Sequence, residues 1–176
     1  MQAPQLSESE RVLRLAATFF AVAVLIHNGD HLRRGSESLN RDVFWAGSAS
    51  IILEVGVVAL VYMHHRIAPL AAVATGFPLA AGYLLVHFTP ERSWLSDSFV
   101  SGNGSVLSSF AAGLEVVGAL FLGWAGLRIV RERGLPSFAA ADGATETGTL
   151  SVFDALRHPV VAVLLVGNIV VFLGTL

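Results

Sequence analysis

The chain has 176 residues, 54% of them hydrophobic and only 14% charged, and its mean hydropathy is +0.67. Soluble domains carry about 25% charged residues, so this composition excludes an ordinary soluble fold and predicts an all-α polytopic membrane protein. A formal net charge of -2 without a basic cluster excludes nucleic acid as a partner, and the lack of cysteine excludes disulfides, thiolate metal sites, iron–sulfur clusters and covalently attached haem.

After a short polar tail, 1–11, the first apolar span runs over 12–32. Arg11 and Arg14 precede it as a signal peptide's basic region would, but it continues into His27, Asp30 and His31 with no small-residue cleavage site, so it reads as a retained helix. Further apolar spans follow at 44–64, 69–88, 106–129 and 159–176. Each is close to the ~20 residues needed to cross about 30 Å of hydrocarbon as a helix. Backbone groups in lipid must be bonded internally, and the alternating short segments of a β-barrel are absent. The expectation is therefore five transmembrane helices.

Arginine placement orients them. The side of the N-terminus holds Arg11, Arg14, Arg66, Arg128, Arg131, Arg133 and Arg157, and the other side holds Arg33, Arg34, Arg41 and Arg92. The excess predicts a cytoplasmic N-terminus. All basic residues are arginine, and the bias to Ala, Gly and Val is that of a GC-rich bacterial genome, which points to a bacterial inner membrane. The segment 130–158 is expected as a cytoplasmic loop. Its "GLPSFAAADGATETGTL" is linker-like, and Ser151 with Asp154 is placed to cap a short helix before Pro159 opens the fifth span.

The second and fourth spans resemble each other. "GSASIILEVGVVALVYMHHRI" and "GSVLSSFAAGLEVVGALFLGWAGLRI" both begin with Gly-Ser, carry Leu-Glu-Val in mid-span and end with Arg-Ile. Glu54 follows His27 by 27 positions, and Glu115 follows His87 by 28. Two hairpins of one plan, 12–66 and 69–129, imply a pseudo-two-fold four-helix bundle with the fifth helix at its periphery.

The ionisable groups then fall at similar depths. His27, Asp30 and His31 are spaced i, i+3, i+4 and share a helix face that Arg34 continues. His87 ends the third span on the same side, and Glu54 and Glu115 lie about ten residues inward from that side. A charge facing lipid costs on the order of 2.5 kcal/mol or more, so both glutamates should face the bundle interior. Small residues near them (Gly47, Ser50, Ser108, Ala111, Ala112, Gly118) leave room for a polar pocket.

Three chemistries fit. The first is a transition-metal site with ligands His27, His31, His87, Glu54 and Glu115, where the donor set favours zinc or iron. Asp30 would orient an imidazole, and Glu54, Glu115 and Asp30 are the candidate catalytic groups for metal-assisted chemistry on a lipid or other membrane-partitioned substrate. The second is b-type haem between His27 and His87, or a quinone redox role. The third is proton or ion handling, with Glu54 and Glu115 sharing a proton, or an accessory place in a larger membrane complex. A purely structural His–Glu network competes with all three. Arg34, Arg92 and Asp97 are expected at the pocket mouth. Arg33 and Arg34 read as a snorkelling interfacial pair touching membrane lipids, and His64 and His65 as interfacial residues at the opposite end. Asn168 in the last span is expected to bond a neighbouring helix. No nucleotide-binding, serine-hydrolase or H-E-x-x-H motif is present.

Overall fold

The computed structural model describes residues 6–35, 40–90, 96–134 and 158–174. Among them every regular element is helical: α1 (Glu8–Arg34), α2 (Arg41–Tyr62), α3 (Ala68–His87), a single π turn (Phe99–Asn103), α4 (Val106–Arg133) and α5 (Pro159–Gly174). α1 to α4 are each long and apolar enough to cross a membrane, whereas α5 is apolar but shorter. Arg92, the linker after Gly134 and the Ser151/Asp154 cap lie outside the described residues.

The helices outrun their apolar spans for local reasons. α1 begins at Glu8, ahead of the expected 12, because Ser7 and Glu10 form a capping box. α4 continues to Arg133, past the expected 129, because its polar last turn is tied to the first turn of α1. Arg128 pairs with Glu8 at 3.2 Å, Arg133 with Glu10 at 3.0 Å, and Ser9 donates to Glu132 at 2.6 Å. Residues 130–133, expected in the loop, are thereby helical.

α4 is the central element. It packs closely on both α3 and α1, while α2 makes slighter contact with α1 and α3, and α5 lies against α1 and α2. Glycine sets the α3–α4 distance. A Cβ on Gly76 would stand 2.5 Å from the carbonyl oxygen of Ala119 and 2.6 Å from the amide nitrogen of Gly123, and one on Gly126 would stand 2.5 Å from the carbonyl of Pro69. The backbones touch there because no side chain intervenes. Phe20, Val58, Leu122 and Leu164 fill the core between the helices. Asn168 reaches back to α1, accepting from Asn28, so the polar residue of α5 makes the expected bond to a neighbouring helix.

The looser seat of α2 has a consequence. Gly47 on α2 and Gly82 on α3 have nothing within 4 Å of where a side chain would begin. Between these helices and α1 lies a cavity of about 220 Å³. Its walls are apolar at Val43, Phe44, Ile51, Pro78, Leu79 and Val86, and polar at His27, His31, His87, Glu54, Tyr83 and Glu115.

Candidate metal centre

The three histidines expected as ligands meet. One ligand atom from each of His27, His31 and His87 lies within 4.8 Å of the others. His27 and His31 are one turn apart on α1, and their Nε2 atoms stand 3.0 Å apart. That is close to the roughly 3.3 Å between two nitrogens bound to one tetrahedral zinc at about 2.05 Å. The last turn of α3 brings in His87, whose ring meets His27 at 4.8 Å between centroids. Glu115, on the inward face of α4, completes the group, with its Oε2 at 3.5 Å from His27 Nε2. His27, His87 and Glu115 are all almost fully buried.

The hydrogen bonds assign the ring nitrogens. The backbone carbonyl of Asp97 is 3.1 Å from His87 Nδ1. A carbonyl only accepts, so His87 carries its proton on Nδ1 and keeps the Nε2 lone pair for a ligand. His31 is wired the other way. Arg34 donates to its Nδ1 at 2.7 Å, which leaves the proton on Nε2, directed at His27 Nε2. His27 then holds its own proton on Nδ1, a buried atom with no hydrogen-bond partner. Glu115 Oε2 is likewise buried without one.

Glu54 sits one layer away. Its Oε1 accepts from Ser50 and from the phenol of Tyr83, both at 2.7 Å, while its Oε2 is buried and unpartnered. Tyr83 also interacts with Glu115, so its phenol joins the two carboxylates. Glu54 thus reaches the histidines through Tyr83 and Glu115. Tyr83 escaped the sequence reading because one aromatic in an apolar helix looks like packing. Its spacing of four from His87, which puts both on one face of α3, was the available signal.

The mouth of the site is covered by charge. Arg34 was expected to snorkel outward with Arg33, but it folds inward, its side chain only 9% exposed. It forms ion pairs with Asp97 at 2.7 Å and with Asp30 at 3.3 Å, and lies 5.2 Å over the ring of Phe99. Two carboxylates from two segments outweigh hydration of one guanidinium. Arg33 pairs with Asp30 at 2.7 Å and donates to Ser105 and Ser108, joining the end of α1 to the start of α4. Asp30 and Asp97 therefore hold the arginines, and Asp97 also faces His87 Nδ1 with its backbone carbonyl at 3.1 Å and its carboxylate at 3.6 Å.

His64 and His65 lie at the opposite end of the bundle, in the turn between α2 and α3. Arg14 donates to His64 Nε2 there.

Two buried imidazoles, a half-buried one, a buried carboxylate and orphaned polar atoms make a set that can bind a cation or pass a proton. The chain matches no protein-family model, no curated protein and no solved structure.

Proposed function

We propose that this is a five-span protein of a bacterial inner membrane, with its N-terminus in the cytoplasm, that holds a transition-metal ion through His27, His31, His87 and Glu115. The observation that carries the reading is the convergence of three imidazoles from two helices within 4.8 Å, with Glu115 at 3.5 Å from the central one. The Nε2 lone pair that His87 keeps and the orphaned Oε2 of Glu115 support it. The donor set of nitrogen and carboxylate oxygen suits zinc or iron.

The repeat of hairpins 12–66 and 69–129 belongs to the same proposal. It is supported by the meeting of His27 with His87, and of Glu54 and Glu115 at one phenol. A metal in this position would act as a Lewis acid toward water or a carbonyl group. Glu54 and Tyr83 line the adjoining cavity and would position a substrate there. The apolar wall of that cavity suits a lipid or another membrane-partitioned molecule. Haem is favoured less, because the His27 and His87 rings meet edge to face and would have to part to admit a porphyrin between them.

Elemental analysis of the detergent-purified full chain tests the reading. Near-stoichiometric zinc or iron that disappears in His27→Ala is expected. A negligible metal content in the wild-type chain, before and after incubation with zinc or ferrous iron, would sink it.

A further inference from the structure

The opposite end of the bundle carries a second cavity, of about 80 Å³. Arg14 of α1, Arg66 of the α2–α3 turn and Arg133 of α4 line it, with His64, His65 and Glu10. Its charge is unbalanced. Glu10 is committed to Arg133 at 3.0 Å. Among the described residues, neither Arg14 nor Arg66 has a carboxylate at ion-pair distance.

Arg14 makes do with neutral partners. It donates to His64 and lies 5.6 Å from the Tyr62 ring, while its Nε is buried with no hydrogen-bond partner. The guanidinium is partly exposed, but its Nε is shielded from water without an acceptor or a counter-charge, an uncompensated cost. The N-terminus of α3 borders the same space through Ala68 and Pro69; the Ala68 N–H is bonded to the His65 carbonyl and Pro69 has none, so the helix adds only the field of its positive end. The volume matches about two or three waters, the scale of one tetrahedral oxyanion.

We propose that this cavity binds a single phosphate group. Its position argues for the source. Leu13, Val61 and Ile129 form the inner wall, so the basic groups stand where the apolar spans end. Basic pockets between membrane helices at that level receive phospholipid headgroups, whose acyl chains follow the apolar wall.

The probes are phosphatidylglycerol, phosphatidylcholine of the same chains, and inorganic phosphate, each added to the delipidated full-length protein. Retention is read by native mass spectrometry, and protection by thermal unfolding. Preferential retention of phosphatidylglycerol is expected, falling about fivefold for each of Arg14→Gln and Arg66→Gln. Glu10→Gln removes the one acid and should strengthen retention, a gain that misfolding does not produce. Equal retention of the two lipids, or a preference unchanged in an Arg14→Gln/Arg66→Gln chain that still unfolds cooperatively, overturns the site. Protection by inorganic phosphate but not by phosphatidylglycerol overturns the lipid as its source.

Discussion

His31 stands between Arg34 and His27, its Nδ1 accepting from the arginine at 2.7 Å and its Nε2 3.0 Å from His27. The arginine fixes the tautomer that a metal at Nε2 does not want. His87 needs no such change, because the Asp97 carbonyl already holds its Nδ1 proton. The two histidines should therefore contribute unequally. His87→Ala is expected to lower zinc affinity about 100-fold and His31→Ala only about tenfold, the range that oriented ligands and their supports command. Competition against a chelator in detergent measures both. Equal losses would mean that Arg34 moves off His31 at no cost.

Tyr83 and Glu54 give a stability test that removes no proposed ligand. Tyr83→Phe removes the donor at 2.7 Å and leaves one more lone pair of a buried carboxylate unsatisfied. The expected loss is about 1–3 kcal/mol, with metal content unchanged. Thermal unfolding and elemental analysis of the same preparation separate the two effects. Loss of metal without loss of stability would instead make the phenol part of the metal site.

The sequence and the structure agree where one helical period suffices. His27, Asp30 and His31 share a face because spacings of three and four do so in any helix, and two glutamates in apolar spans must turn inward because lipid cannot hold them. What the sequence concealed depends on segments distant in the chain. Arg34 turns inward because of Asp97, 63 positions away in the loop before α4. The extra turn of α4 follows from its ion pairs with the start of α1, which hydropathy does not register. Tyr83 gains its polar role only because α2 brings Glu54 within 2.7 Å of its phenol and α4 carries Glu115 into the same cavity.

The histidines at the end of the bundle opposite the candidate metal centre predict a pH response. Burial, and then the neighbouring Arg14, hold both His64 and His158 below the ordinary histidine value. The unfolded chain, titrating near about 6.5, then binds protons that the folded chain refuses. Stability from these groups is complete above that value and declines as the pH falls toward their folded-state values. The melting temperature should drop on acidification, and His64→Gln should flatten the drop. Most of His64 is in contact with solvent, so the effect is small. An unchanged slope in His64→Gln would assign the response to other groups.

Glycines at two seams separate folding from access. Gly76→Ala forces a methyl against the Ala119 and Gly123 backbone, which neither helix can rotate away. Such overpacking costs about 1–3 kcal/mol, and the melting temperature should fall accordingly. Gly47→Ala and Gly82→Ala meet nothing within 4 Å and should leave stability near wild type. A larger residue there, as in Gly82→Leu, would project into the 220 Å³ cavity beside Glu54 and Tyr83. It should preserve both fold and metal while blocking a membrane-partitioned ligand, read as lost quenching of Tyr83-proximal fluorescence by a brominated lipid probe. If Gly82→Leu unfolds the chain as readily as Gly76→Ala does, the gap between α2 and α3 is a packing seam and the proposed membrane-partitioned ligand would have to enter from another side.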